Sequence, residues 1–194
     1  MSALIVGSDG RARCGWAGMA ANPDYERYHD EEWGRPVSSE RDLFERLSLE
    51  AFQSGLSWIT ILRKREAFRV AFSNFDPERV AGFDCSDVQR LLADAGIVRN
   101  AAKIRATIAN AQALLALPEE ETLTELVHAH RPNAVAGTSA AAEIPAWTVE
   151  SVALAKALKK RGFRFVGPTT AYAMMQAVGV VNDHVPGCWV RENV

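Results

Sequence analysis

The apolar residues of this chain recur at helical spacing from Asp42 onward, and almost no segment alternates as a half-buried strand does. Ala101–Leu117 is the clearest example, because Ile104 and Ile108 share one helix face. Phe163–Val166 is the only short strand candidate. The sequence therefore predicts one all-α domain over residues 13–194, arranged in two lobes, and a flexible tail over residues 1–12.

Capping residues mark several helix boundaries. Asp76-Pro77 supplies an acidic N-cap followed by proline at the first helical position, and Asp84 begins the next helix. The helix that starts near Arg41 takes Ser38 or Ser39 as its cap. Arg131–Ser139, rich in small and turn-forming residues, is expected to be a loop.

A carboxylate interrupts the apolar face of the helix that starts near Arg41. Leu43 and Leu47 lie on the same side as Glu50, which therefore occupies a position where leucine is expected. An unpaired buried carboxylate is costly and either stays protonated or finds a partner. Gly55 then ends the helix and lets the backbone turn sharply before Trp58. We interpret Glu50 as the centre of a functional site; the alternative is a side chain that turns to solvent at the helix edge.

The composition excludes several classes of protein. No run approaches the roughly 20 apolar residues needed to cross a bilayer, and Met1–Gly7 lacks the basic start of a signal peptide. Three cysteines spread over the chain do not form a disulfide framework. The net charge of −2 argues against a strongly basic nucleic-acid-binding coat. We expect a cytoplasmic globular protein.

The positive charge is nevertheless segregated along the chain. No acid lies between Glu150 and Asp183 or between Asp94 and Glu119. Three basic segments stand out: Arg63 to Arg69, Arg99 to Arg105, and Lys156 to Arg164. Segments of this kind can present one positive face to a phosphate backbone, although each is also compatible with an ordinary solvated helix face.

Two pairs of metal-ligating residues lie at opposite ends of the chain. Cys14 and His29 are near the N-terminus, and His184 and Cys188 are near the C-terminus. Two thiolates and two imidazoles form a closed tetrahedral set suited to a structural Zn²⁺. Such an ion would join the terminal segments as a cross-link does. The spacing matches no known zinc finger, so scattered cysteines and histidines without a common role remain the alternative.

Aromatic residues are concentrated between the first two candidate ligands and just after the Glu50 helix. They are Trp16, Tyr25, Tyr28, Trp33 and Trp58. Rings close to a buried carboxylate would bind a flat cationic ring by stacking and cation–π attraction, while the acid reads an exocyclic amine. The alternative is interior packing, which is how we interpret Trp147 and Trp189.

Several longer motifs together resemble one known family. They are Arg13-Cys14-Gly15-Trp16, Tyr28-His29-Asp30, Glu32-Trp33-Gly34, Gln53-Ser54-Gly55-Leu56-Ser57-Trp58, Leu158-Lys159-Lys160-Arg161-Gly162-Phe163 and Val181-Asn182-Asp183-His184. Over roughly residues 12–188 the chain is similar to the 3-methyladenine DNA glycosylase I family. The resemblance implies a bilobed, all-α helix-hairpin-helix glycosylase with a zinc clasp.

The resemblance also implies roles for individual residues. Cys14, His29, His184 and Cys188 match the zinc ligands, and Glu50 with the five aromatic residues named above matches the pocket for a flipped base. Leu56 matches the residue that fills the gap left in the DNA. The hairpin that binds a DNA phosphate corresponds to Gly162, Phe163, Arg164, Val166 and Gly167. Ala173 departs from the family, in which a serine can stand at this position.

The implied reaction is hydrolysis of the N-glycosidic bond of 3-methyladenine in alkylated double-stranded DNA. The products are free 3-methyladenine and an abasic site, because no lysine stands where a Schiff-base nucleophile is expected. We interpret Asp183 as orienting His184 rather than acting in catalysis. A monomer is expected. The alternatives are a zinc-stapled, non-catalytic DNA-binding protein of the same fold and a zinc hydrolase, although four protein ligands argue against the latter.

Overall fold

The computed structural model describes residues 4–37, 39–132 and 144–194, so Ser38 and most of the loop expected over Arg131–Ser139 lie outside the described residues. Within these ranges the chain is predominantly helical, as predicted. The helices are α1 Pro23–Glu31, α2 Glu40–Gln53, α3 Trp58–Ala71, α4 Pro77–Ala81, α5 Cys85–Ala93, α6 Ala101–Leu115, α7 Leu123–His128, α8 Val149–Lys160 and α9 Pro168–Ala177. None of these described helices is both long and apolar enough to cross a membrane.

The predicted helix boundaries agree with the observed caps. The Ser39 hydroxyl accepts a hydrogen bond from the Asp42 N–H at 3.1 Å and so begins α2. Asp76 caps α4 ahead of Pro77, and Asp84 forms a reciprocal capping box at the start of α5. These local signals determine where α2, α4 and α5 start.

Helix α2 contributes to two hydrophobic clusters and thereby divides the molecule into two lobes. Phe44, Leu49 and Phe52 pack into a cluster with residues of α3–α6, whereas Leu43 and Leu47 pack with residues of α7–α9. Because successive side chains of a helix point around its axis, one helix can serve both cores. The predicted all-α, bilobed architecture is confirmed, and Glu50 lies on the helix between the lobes.

The N-terminal segment has more regular structure than its sequence predicted. Strands β1 (Leu4–Val6) and β2 (Ala12–Cys14) pair in antiparallel register, so part of the segment expected to be a flexible tail forms a hairpin. Helix α1 was also missed, although Asn22-Pro23 with acids in the first turn is a helix-start signal. The strand candidate Phe163–Val166 is instead a turn, because Phe165 adopts a φ of +57°.

Candidate active site and metal centre

Glu50 lies inside the molecule, near the end of α2, with only 6% of its surface exposed. Among the residues that the structure describes, none donates a hydrogen bond to its carboxylate. Burial raises the pKa of Glu50 to about 8, and the charge of Arg46, one helical turn earlier, opposes that rise. The sequence prediction that Glu50 points inward is confirmed, and the solvent-facing alternative is wrong.

The five predicted aromatic residues form one connected group. The Trp16 ring centroid lies 5.3 Å from that of Tyr25, 6.4 Å from that of Tyr28 and 4.8 Å from that of Trp33. Tyr28 in turn lies 5.1 Å from Trp58. These separations are typical of interacting aromatic pairs. Residues far apart in the chain therefore meet as predicted.

The carboxylate of Glu50 acts electrostatically on this aromatic group. Burial, followed by the charge of Glu50, raises the pKa of the Tyr25 hydroxyl. Burial also raises the pKa of Tyr28, with Glu50 contributing to the rise. The buried Trp58 indole N–H has no hydrogen-bond partner among the described residues. A buried acid and an unsatisfied donor beside several rings can recognise a flat, polar, cationic ligand.

The four predicted metal ligands converge into one buried group. Their ligand atoms all lie within 4.8 Å of one another, and each residue is at most 2% exposed. The nearest nitrogen–sulfur separations are 3.5 Å from His29 Nε2 to Cys188 and 3.6 Å from His184 Nδ1 to Cys14. A tetrahedral ion with ordinary Zn–N and Zn–S bonds would hold such atoms about 3.6 Å apart. The residues thus fit a metal ion.

Each histidine is oriented by a hydrogen bond from its other ring nitrogen. His29 Nδ1 lies 2.8 Å from the Asp30 carboxylate, and His184 Nε2 lies 3.2 Å from the Trp33 carbonyl oxygen. Since both partners are acceptors, these nitrogens carry the protons, and the nitrogens that face the sulfurs are free to bind metal. The contact with Cys14, followed by the contacts with His184 and His29, lowers the pKa of Cys188 and so favours its thiolate, the form that binds metal.

Our interpretation of Asp183 as the residue that orients His184 is wrong. The Asp183 carboxylate accepts hydrogen bonds from the Tyr172 hydroxyl at 2.5 Å and from Gln176 Nε2 at 2.8 Å, so it is turned toward α9. The Trp33 carbonyl takes the expected role at His184. The acid that does orient a ligand is Asp30, a role that the sequence analysis missed.

The predicted hairpin connects α8 to α9, and two of its side chains anchor it in the interior. Phe163 and Val166 are buried, whereas Arg164 and Gly167 are exposed. Gly162 has a φ of +93°, which a residue with a side chain rarely adopts. Helix α9 follows Gly167 with no side-chain cap and no acid in its first turn, so its first N–H groups are unpaired within the described structure. Such a helix start favours an anion.

Leu56 stands at the sharp turn between α2 and α3. Gly55 has a φ of +82°, and Leu56 is 42% exposed. The turn is supported by Lys103 of α6, whose ammonium donates to the Phe52 carbonyl at 2.9 Å and to the Ser54 carbonyl at 2.6 Å. An exposed leucine on a braced turn is suited to insertion between bases.

The three basic segments differ in their surroundings. In the segment from Arg63 to Arg69, Arg65 pairs with Glu32, and Arg69 pairs with Glu45 and Glu66. By contrast, four basic residues of the last segment are exposed and have no ion pair among the described residues: Lys156, Lys159, Lys160 and Arg164. Exposed positive charge without an ion pair therefore lies beside the hairpin, and Arg99 and Arg105 of the middle segment are exposed as well.

Two interpretations of individual residues need revision. Trp147, expected to pack in the interior, is 54% exposed. Lys103, counted with the basic segments, is buried and bonded to backbone carbonyls.

Asn110, which binds the hairpin backbone, was not identified from the sequence. Its polarity on the buried face of an amphipathic helix is the signal that would have identified it.

Comparison with known proteins agrees with this geometry. The sequence model of the methyladenine glycosylase family matches residues 16–192. DNA-3-methyladenine glycosylase 1 of Escherichia coli is 49% identical over 180 residues, which are 91% of this chain and 95% of that protein. DNA-3-methyladenine glycosylase of Haemophilus influenzae is 42% identical over 91% of this chain and 96% of its own length.

Solved structures give the same result. A crystal structure of 3-methyladenine DNA glycosylase I superposes with a TM-score of 0.85 at 49% identity and covers 91% of this chain and 98% of that chain. The Staphylococcus aureus enzyme, whose structure describes 3-methyladenine recognition, has a TM-score of 0.81 at 32% identity, with 88% and 92% covered. On sequence and fold together, this chain belongs to the methyladenine glycosylase family.

Proposed function

We propose that this protein is a DNA-3-methyladenine glycosylase that begins base-excision repair of alkylated double-stranded DNA. The observation that carries the proposal is the buried Glu50 carboxylate, which has no hydrogen-bond donor among the described residues and acts on the neighbouring Tyr25 and Tyr28. The C1′–N9 bond of the modified nucleotide breaks, and its electron pair neutralises the cationic base. Water adds to C1′ and loses a proton, which leaves an abasic site.

The high pKa of Glu50 supports selection of a cationic base. With a pKa of about 8, the empty pocket holds mostly the neutral acid at neutral pH. A base methylated at N3 is positively charged, and a nearby positive charge lowers the pKa of a carboxyl. Glu50 then ionises, accepts a hydrogen bond from the exocyclic amine and stabilises the bound cation. Unmodified adenine is neutral and provides no such gain.

The aromatic residues are proposed to line the pocket of the flipped base. Tyr25 and Tyr28 lie close enough to the carboxyl for its charge to raise their pKa values, and Trp58 contacts Tyr28. Trp16 and Trp33 support them through the ring contacts described above. Stacking on aromatic rings stabilises a base by about 1–3 kcal/mol. Because alkylation already makes the base a good leaving group, binding and positioning supply most of the catalytic effect.

The DNA contacts are proposed to come from two exposed turns. Leu56 enters the gap left by the flipped nucleotide. The hairpin over Gly162–Gly167 and the uncapped start of α9 bind a phosphate through backbone N–H groups, with Arg164 and its neighbouring lysines adding positive charge. Phe163 and Val166 hold the hairpin in place from the interior rather than contacting DNA.

The metal ion is proposed to be Zn²⁺ with a structural role. Two sulfurs and two imidazoles fill a tetrahedral set, which leaves no open position for a reacting water. The ion would hold the N-terminal segment against the C-terminal one. Retained thiol ligands are consistent with a reducing cytoplasm, where we place the protein. We further propose that it acts as a monomer.

The proposal is tested with purified protein and methylated duplex DNA. Chromatography of the supernatant should detect 3-methyladenine released by the wild type, and single-turnover release by Glu50→Gln should fall by at least about 100-fold. Fluorescence anisotropy should find the DNA affinity of both proteins nearly equal. A non-catalytic DNA-binding protein of the same fold would bind the duplex but release no base in either form.

A further inference from the structure

The guanidinium of Arg13 is enclosed by the N-terminal hairpin although it is a charged group. Arg13 is 2% exposed, and its nitrogens donate to both oxygens of Asp9 at 2.8 Å. They also donate to Asp30 at 2.7 to 3.0 Å, and Glu26 lies 3.4 Å away. The Arg13 and Asp30 side chains are 2% and 12% exposed, so their charge-assisted contact is shielded from water and stronger than an exposed ion pair, whereas the Asp9 carboxylate is 41% exposed.

The hairpin turn is shaped around this guanidinium. A Cβ atom at Gly7 would lie 2.4 Å from Arg13 Nη1 and 2.8 Å from the Asp9 carboxylate, so no larger residue fits there without displacing the ion pair. The backbone closes the turn through a hydrogen bond from the Gly7 N–H to the Arg11 carbonyl at 2.9 Å. Asp9 is thereby held in a fixed position above Arg13.

The same ion pairs extend to a metal ligand. Asp30, which receives the hydrogen bonds of Arg13, is also the acceptor for His29 Nδ1 at 2.8 Å. Asp9, Arg13 and Asp30 therefore connect the hairpin to the imidazole in an unbroken chain of charge-assisted contacts. Rotation of His29 away from a bound ion would require this chain to break.

The hairpin also packs over the thiols. Leu4 packs against the cluster that contains Cys14 and Cys188. The backbone N–H of Trp189 donates to the Ala12 carbonyl at 2.9 Å, and the Arg11 guanidinium lies 4.3 Å from the Trp189 ring. These contacts cover the metal-ligating group from the N-terminal side.

We propose that the hairpin over residues 4–14 slows release of the metal ion bound by Cys14, His29, His184 and Cys188, and so acts as a lock on this site. It acts by covering the thiols and by restraining His29 through Asp9, Arg13 and Asp30. This function goes beyond glycosylase activity, because the whole hairpin precedes the segment matched by the family, residues 16–192. It rests on the proposed zinc ion but not on the proposed reaction.

The experiment follows zinc transfer from the full-length, zinc-loaded protein to an excess of a chromogenic chelator. Asp9→Ala removes the carboxylate at the outer end of the chain of contacts, and Gly7→Ala displaces the guanidinium sterically. Each should begin with the same zinc content as the wild type and release the ion about tenfold faster, the lower end of the effect expected for groups that orient metal ligands.

Asp24→Ala is the matched control. It also removes one carboxylate and one ion pair, the exposed contact of Asp24 with Arg27 at 2.9 Å on the helix that carries His29. Its release rate should equal that of the wild type. Wild-type release rates in both hairpin variants, or an equal acceleration in the control, would overturn the lock. Protein that takes up no zinc would overturn both the proposed ion and the lock, whatever its glycosylase activity.

Discussion

Asn110 binds the backbone of Arg164 at both ends of its side-chain amide. Its Nδ2 donates to the Arg164 carbonyl at 3.1 Å, and the Arg164 N–H donates to its Oδ1 at 2.7 Å. Asn110 is buried in α6, whereas the Arg164 side chain is exposed on the hairpin. One helix of the first lobe thus sets the conformation of the turn proposed to bind DNA phosphate.

Replacement of Asn110 by alanine should weaken DNA binding more than base binding. The two partly buried backbone groups of Arg164 lose their partners, which costs up to about 1–3 kcal/mol each if no water replaces the amide. The hairpin then no longer holds its N–H groups in position for a phosphate. We expect the dissociation constant for duplex DNA to rise about tenfold or more in anisotropy titrations, while the affinity for free 3-methyladenine stays within about twofold.

Gln112→Ala is the control for Asn110→Ala, because Gln112 lies on the same helix and its amide donates to the Ala81 carbonyl at 3.0 Å, away from the hairpin. Its DNA affinity should match that of the wild type. Equal loss of DNA and free-base binding in Asn110→Ala would indicate general unfolding instead of a hairpin effect.

Lys103→Met should impair the Leu56 turn. The methionine keeps the apolar stem of Lys103 but removes the ammonium that donates to the Phe52 and Ser54 carbonyls at the end of α2. We expect base release from duplex DNA to fall several-fold with little change for single-stranded substrate, which has no stacked gap to fill. Arg105→Met, which removes an exposed charge from the same helix, is the control. The same decrease on both substrates would contradict a role at the turn.

Local sequence patterns predicted the helices because their signals lie within a few residues of one another. Ser39, Asp76 and Asp84 cap the helices that they were expected to cap. Helical periodicity placed Glu50 on the face marked by Leu43 and Leu47 and so favoured an inward position over the solvent-facing alternative, as its burial confirms. Neither inference needed to know how the helices pack.

The N-terminal hairpin could not be predicted in this way. Its strands have three residues each, and a strand of that length forms only against a partner. It is stabilised by the contacts of Arg13 with Asp9 and Asp30, and Arg13 and Asp30 are 17 residues apart in the sequence. No periodicity reports such contacts, so a segment of mixed composition was interpreted as a tail.

Charge patterns also failed where burial determines the role of a residue. Lys103 and Arg65 looked equivalent to the lysines around the hairpin, yet one binds backbone carbonyls and the other binds Glu32. A sequence gives the sign of a charge but not its solvent exposure. The metal ligands were easier to identify, because few residue types bind Zn²⁺. The two cysteines and two histidines proposed as ligands do come together in the fold.

Removal of the metal ion should destabilise the fold. An ion that binds only the native state adds about 4.1 kcal/mol when its free concentration is 1,000 times the dissociation constant. For a chain of this size, that corresponds to a decrease of roughly 8–16 °C in Tm on chelation. Differential scanning calorimetry with and without chelator measures the change. In Cys188→Ser the chelator should have a much smaller effect, and an unchanged Tm in the wild type would contradict a structural ion.

The pH dependence of base excision should report the ionisation of Glu50. If the anion is the active form, kcat/KM rises with pH, levels off above the free-enzyme pKa of about 8, and falls roughly tenfold per pH unit well below it. Single-turnover rates on methylated duplex DNA between pH 6 and 9 give this profile when the enzyme is in excess over the DNA but below saturation, since the rate is then proportional to kcat/KM. Glu50→Gln provides a baseline without this ionisation. A flat wild-type profile over that range would contradict a raised pKa at Glu50.

Arg46→Met should move this profile toward higher pH. The positive charge of Arg46 lowers the pKa of Glu50, so its removal favours the protonated acid and raises that pKa further. At pH 7 the variant should therefore show lower kcat/KM than the wild type, and activity should recover as the pH increases. Arg65→Met is the matched control, because Arg65 binds the same Glu32 as Arg46 but is not among the groups that shift Glu50. If both variants shift the pH profile equally, the shift comes from the loss of a partner at Glu32. If activity is lost at every pH, the cause is misfolding of the pocket.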